Sequence, residues 1–517
     1  MFSKILIFIL LTLFVNTFGF ANSNKNLATK FQEPPIRFNF LGTTIVLNRY
    51  FNTDKTMYLT DNHIPLAAKL VNNIYNTENT NIKIQAGIFL AHILYDLDLK
   101  ISSLYVLQSI LINKSDSHLI PLVFKFIVQI VTDLNNDYII SNFFQYIDRT
   151  KLSTDNLTAI NYYYGKVLFK DSNFEKAKEF FQGIKPEHHN GKYYFLARYY
   201  LATIHYLTDE KRKAIPFLDD IFSTKEKLPL ELISQARLLA GRIYSDLNML
   251  PESVLNYEKV PQESLTWDQA LQEVAWVYLR MENYAKVVGR THSLNSPFFS
   301  MYYFPDGYII EALGYLKLCR FGKAKYILDE FEKTYIDYLP KLKKFSGSYT
   351  ELETHKSLPS RIVKTFARNK YFSSYHEGLQ RLRFEKARID RFNTYSSAKQ
   401  VFHEPAKKFH DFLNKKFSAQ ETHHLQLLDQ YLQTETKTLE AKLVNLYAKY
   451  EFVKYEMFSQ AKKYLQSSLI ETNKVVFSEK ERIASSDNKL YIWKFENEYW
   501  KDELPFYDFA GINLCKQ

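Results

Sequence analysis

Small residues recur along the middle of this chain at a nearly fixed step. Gly165, Ala202, Gly241, Ala275 and Ala312 lie 37, 39, 34 and 37 residues apart. A second pattern travels with them. In "EALGYLKLCRFGKAKYILDEFEKTY", Glu311 to Tyr335, the residues Ala312, Tyr315, Phe321, Ala324 and Leu328 fall at offsets 0, 3, 9, 12 and 16. Gly165, Leu168, Phe174, Ala177 and Phe181 repeat those offsets, as do Gly241, Tyr244, Leu250, Ser253 and Tyr257. Ala202, Ala214 and Leu218 fit as well, and Ala275, Tyr278, Tyr284 and Val287 fit more loosely. A small residue on one helix lets a second helix cross closely, and another, twelve positions on, does the same from the other side. The aromatics between and after them fill the gap to the next unit. One such unit cannot bury both faces, so the pattern demands a stack.

The step resembles that of the tetratricopeptide repeat, a 34-residue helix pair whose loops tolerate extra length. The resemblance implies an all-α, tetratricopeptide-like helical-repeat solenoid over residues 151–335. "GIFLAHILYDLDLKISSLYVLQSIL" around Ala91 and "FKFIVQIVTDLNNDYIISNFFQY" around Val128 continue the step in degenerate form, so 61–150 reads as further helix pairs. Glycine (14) and proline (15) are too scarce for a fold built from tight β-turns.

Beyond Tyr335 the period stops, and the array is expected to fold without the C-terminal residues. Residues 336–360 are polar, with Gly347 and Pro359, and read as a linker. Residues 361–475 read as long basic coiled-coil helices. In the second of them Leu425, Leu428, Leu432, Leu439, Leu443, Leu446, Tyr450, Val453 and Met457 alternate at threes and fours as a coiled-coil seam. Such a seam closes either an intramolecular hairpin or a dimer. From Lys341 to Gln420 there are 18 Lys and Arg against 7 Asp and Glu, an excess equal to the formal charge of +11 on the whole chain. A basic stalk of that kind suits an anionic neighbour such as lipid or wall polymer, or simply a solvated surface. The 476–517 tail crowds Trp493, Phe495, Tyr499, Trp500, Phe506, Tyr507 and Phe509 into a piece too short to fold alone. It reads as a segment docked on a helical surface, or as an aromatic arm for a partner.

The first residues address the compartment. Lys4, an apolar run from Ile5 to Val15, and small residues at Gly19 and Ala21 have the order of a cleavable secretory signal over 1–21, with an uncleaved anchor as the alternative. Residues 22–60 form an N-terminal segment. Export would place the chain in the periplasm of a Gram-negative bacterium, in solution or membrane-associated, where nucleic acid is not a partner. The two cysteines, Cys319 and Cys515, then become a candidate disulfide, the alternative being two separate thiols.

No pattern carries catalysis. There is no GxSxG, phosphate loop, GxGxxG, HExxH or Cys-x-x-Cys, and the adjacent pairs His188–His189 and His423–His424 would diverge by about 100° on a helix. The sequence points to no enzyme, cofactor or metal. Two passages, "SLTWDQALQEVAWVYLRMENYAKVVGRTHSLNSPFF" (Ser264 to Phe299) and "IWKFENEYWKDELPFYDF" (Ile492 to Phe509), resemble exported tetratricopeptide-repeat proteins of predatory and gliding bacteria, of the envelope gliding-motility kind. That family's tail motif typically has Pro where this chain has Lys494 and Gly where it has Glu496. The resemblance implies periplasmic work between proteins. The expectation is a non-enzymatic scaffold binding a protein or peptide in its groove, with Tyr163, Arg198, Tyr199, Tyr200 and Arg242 as groove residues on first helices. The alternative is a wall- or lipid-associated factor that binds through the basic stalk.

Overall fold

The computed structural model describes residues 37–40, 43–46, 70–71, 78, 80–112, 120–134, 144, 147–187, 191, 193–354, 357–399, 403–468, 483–485, 499–509 and 513–516. The expected signal peptide, the pair His188–His189, and the tail aromatics Trp493 and Phe495 lie outside the described residues. The helices come in antiparallel pairs: α1 (Thr80–Asp96) with α2 (Lys100–Ile112), then α3 (Ile120–Leu134). There follow α4 (Thr154–Lys170) with α5 (Phe174–Gln182), and α6 (Tyr194–Leu207) with α7 (Lys211–Ser223). Next come α8 (Leu230–Asp246) with α9 (Leu250–Glu258), α10 (Trp267–Arg280) with α11 (Tyr284–Leu294), and α12 (Pro305–Lys317) with α13 (Phe321–Tyr335). The short helices α14 (Tyr338–Lys344), α15 (Tyr349–Thr354) and α16 (Ser360–Arg368) lead into α17 (Lys370–Lys399) and the 66-residue α18 (His403–Ser468). Strands among the described residues form two short antiparallel pairs, β1 (Arg37–Phe40) with β2 (Thr43–Val46) and β3 (Ile483–Ser485) with β4 (Tyr507–Phe509). The fold is an all-α helical-repeat solenoid of the tetratricopeptide type, followed by a long helical hairpin.

The repeat is written into the backbone. Asp98, Ser172, Asp209, Asn248, Glu282 and Cys319 all take a positive φ, between 56° and 62°. Each lies seven residues after a small anchor: Ala91, Gly165, Ala202, Gly241, Ala275 and Ala312 respectively. Each ends its first helix in the same way. The Asn248 N–H donates to Ser245 O at 3.1 Å and the next N–H, of Met249, to Tyr244 O at 2.8 Å, while Cys319 and Arg320 repeat this at 3.0 and 2.9 Å. This double closure is the left-handed stop usually made by glycine, here made six times without one. Ala91 therefore belongs to the same register. In agreement, Ser103 donates its hydroxyl to Ala91 O at 2.7 Å, as Ser253 does to Gly241 O twelve residues earlier, also at 2.7 Å.

The small anchors sit under rings. A Cβ on Gly165 would lie 2.8 Å from the Phe181 ring, and one on Gly241 would lie 2.6 Å from Tyr257. At the anchors and twelve residues on, Ala177, Ala202, Ala214, Ala275, Ala312 and Ala324 are fully buried.

One expectation needs correction, and the structure bears on two more. Residues 336–360 are not a solvated linker, because α14 and α15 pack down with Leu342 and Tyr349 buried, and Asp429 of α18 accepts the Tyr349 N–H at 2.6 Å. The array does not finish itself at Tyr335. The last apolar face, with Leu328 and Phe331, lies under Tyr447 and Tyr450 of α18, at 5.3 and 5.4 Å between ring centres from Phe331. Of the two closures open to the coiled-coil seam, the structure shows the intramolecular one, with Leu428, Leu432 and Leu443 fully buried within this chain. The first half of α18 pairs with α17 through Arg383–Glu421 (3.0 Å) and His410–Asp390 (2.8 Å), while the second half lies on α13.

Three substitutions test the register. Gly241→Leu should cost about 1–3 kcal/mol in a chemical melt, whereas Gly307→Ala, where an added Cβ meets nothing within 4 Å, should be neutral or slightly stabilising. Replacing the exposed left-handed Glu282 by glycine relieves a Cβ clash and should stabilise by about 1 kcal/mol. A loss of stability in that variant would contradict the shared turn.

Candidate functional site

First helices of such an array line its inner face, and the five groove residues sit on α4, α6 and α8. The structure does not assemble them into an open patch. Tyr163 is 2% exposed and lies edge-on to Tyr162 and Tyr193. Tyr200 stacks on Phe181 at 5.0 Å, which makes it part of the wedge between units. Arg198 covers the Tyr194 ring, donates to its hydroxyl at 2.6 Å and pairs with Asp220 at 3.1 Å. Arg242 grips Glu273 through Nε and Nη2 at 2.8 and 2.6 Å, and the Tyr257 hydroxyl donates to the same carboxylate at 3.0 Å. Burial pushes the Tyr199 phenol pKa up, with Arg242 pulling against it. These side chains are spent on contacts within and between units. From the sequence, a tyrosine that recognises a partner and one that wedges two helices look alike.

The inner face is occupied by the chain's own helices. Arg361 donates to Ser300 O at 2.8 Å. Arg368 clasps both oxygens of the buried Asp268 at 2.5 and 2.7 Å and reaches Leu265 O at 2.6 Å. Burial pulls the Lys370 pKa down, with Glu231 of α8 opposing, and Lys170 of α4 lies over the Tyr371 ring. At the far end Arg381 holds the Asp98 carboxylate and Arg388 donates to Leu97 O at 2.8 Å. Between them Glu385, fully buried, accepts the backbone N–H groups of Ile101 and Ser102 at 2.9 and 2.8 Å and the Ser102 hydroxyl at 2.8 Å. It caps the N-terminus of α2 from 283 residues away. The helices α16 and α17 thus strap the solenoid from its last units back to its first. The strap also pairs arginines of the stalk within the chain, while lysines are the larger share of the stalk's positive charge.

A second built surface lies on the outer side, where the tail crosses α11. A Cβ on Gly289 would fall 1.7 Å from Tyr507 O, so the tail backbone rests on a residue that has to be glycine. Arg290, 3% exposed, donates to Tyr507 O at 3.0 Å and to Glu258 at 2.9 Å, and Ser293 donates to Leu504 O at 2.5 Å. His292 stacks on Tyr499, and Phe509 meets the Tyr315 ring edge-on. Cys319, in the last repeat turn, is joined to Cys515, with Cα atoms 5.3 Å apart and a sequence separation of 196. The tail lies across α11 and α12, and α18 covers the final face. The signal that reading by residue type missed was Gly289 followed by Arg290 on a second helix whose outer side would otherwise face water.

Beneath the tail Glu311 is 3% exposed and accepts from Asn295 at 2.5 Å. Burial raises its pKa to about 8, with Lys323 opposing, while burial lowers that of His292 to about 4. Among the described residues no group of His, Cys, Asp or Glu could hold a metal ion, and no helix is long and apolar enough to cross a membrane.

No protein-family model and no curated protein matches the sequence. Solved structures that resemble it include a Rap protein complexed with competence and sporulation factor, 13% identical, covering 69% of this chain and 98% of that one, with a TM-score of 0.28. Another is the human IFIT1 dimer with m7Gppp-AAAA, 10% identical, covering 74% and 96%, at 0.24. A third is Naa15/Naa10 bound to HypK-THB, 14% identical, covering 80% and 69%, at 0.23. At these scores none of them identifies a partner.

Glu311 is neutral in the fold and ionised in the unfolded chain between about pH 4.5 and 8, so its contribution to stability is lost as pH rises through 8. His292 loses its contribution only as pH falls below 6.5. Urea melts at pH 6.5 and 8.5 should therefore show a loss in the native chain that is smaller in Glu311→Gln, burial of Asp96, whose pKa is raised to about 7, supplying the remainder.

Proposed function

We propose that the chain is a non-enzymatic scaffold, exported to the periplasm, that binds a protein partner in an envelope assembly, of the motility-related kind its two resembling passages suggest. The strap carries this reading. The contacts at Leu97–Ser102 and at Leu265–Asp268 hold the array at both ends, and its inner polar side chains are paired with one another. A solenoid held in that way presents a fixed outer surface and does not close around a substrate. Recognition accordingly falls to exposed side chains outside the groove. The alternative reading, as a binder of anionic polymer, rests on the lysines of the stalk, because Arg361, Arg368, Arg381, Arg383 and Arg388 all have acceptors within the chain.

Pull-down from envelope extracts with the full mature chain tests the proposal. It should capture a protein whose retention persists at about 0.5 M salt, where exposed charge pairs are screened. Arg242→Ala should keep that partner while melting earlier. Capture of polymer or lipid alone, abolished by salt, would favour the other reading.

A further inference from the structure

The second half of α18 buries one face on the array, through Tyr450, Val453 and Met457, and turns the other to solvent. On that outer face Phe452 is 62% exposed, Tyr455 69% and Phe458 53%. Glu451 and Lys462, both exposed, stand at the two ends of the same stripe. Glu451, Tyr455, Phe458 and Lys462 are spaced by four, three and four, the spacing of a helix–helix seam. This seam is distinct from the one already buried inside the hairpin.

The order of the residues identifies what fits. Laid antiparallel on a second copy of itself, the stripe places Glu451 opposite Lys462 at both ends and Tyr455 opposite Phe458 at the centre. Parallel pairing would set Glu451 beside Glu451 and Lys462 beside Lys462. A lipid surface would gain from the aromatics and lysines but would have to take up Glu451. We propose that this stripe is a homodimer contact, in which α18 pairs antiparallel with α18 of a second copy. About three turns of helix form a contact well below the roughly 800 Å² per partner of a standard interface. The dimer is accordingly reversible and fills at micromolar concentration.

Sedimentation velocity on the full mature chain tests this. The average mass should rise with concentration over about 1–100 µM and fall back at high salt. Glu451→Lys replaces two attractions by two repulsions and should weaken association about tenfold. Glu451→Lys combined with Lys462→Glu should restore it, because the reversed charges again face each other. Both positions are exposed, and an unchanged circular dichroism spectrum would show that the fold is intact. A chain that stays monomeric throughout, whether or not the stripe holds an anionic vesicle, overturns the proposal. So does a dimer indifferent to Glu451→Lys, or one that the double exchange fails to restore.

Discussion

A ring lying against a residue with no side chain sets the spacing of this molecule. Phe181 on Gly165 and Tyr257 on Gly241 bring paired helices closer than any larger residue would allow. The approach fixes the offset between the helices of a unit, and the left-handed turn seven residues after the anchor fixes where the second helix starts. Tyr257 then carries the constraint onward. Its hydroxyl meets Glu273 of the next unit, which Arg242 grips from the same helix as Gly241. Core packing and the polar ladder along the inner face are consequences of the same close crossing.

That is why the repeat was legible and much of the rest was not. Anchors at Gly165, Gly241 and Ala312 repeat because each answers a local steric need, and local needs recur at a fixed step. The capping of α2 by Glu385 has no such period. It depends on a single carboxylate arriving 283 residues later, and in the sequence Glu385 is one acid among arginines. Residues 336–360 misled for a related reason: polar stretches with Gly and Pro resemble linkers, while Leu342, Phe345 and Tyr349 are too few to show a pattern. The passage Ser264–Phe299 and the tail touch each other through Arg290 and Ser293, a contact that neither stretch signals by itself.

The arginines of the stalk show the same limit. A count over a window sees their charge but not their acceptors, which here lie on Asp98, Asp268 and carbonyl groups of the array. The lysines between Lys341 and Gln420 are the larger share of the excess.

The bond between Cys319 and Cys515 encloses α13 to α18 in a covalent ring. Any pull between the array and the residues beyond Cys515 therefore runs through the sulfur atoms and the last repeat turn. The 66-residue helix and its hairpin partner stay off the load path. Under tension the strap keeps its grip, and the first element to feel strain is the left-handed turn at Cys319.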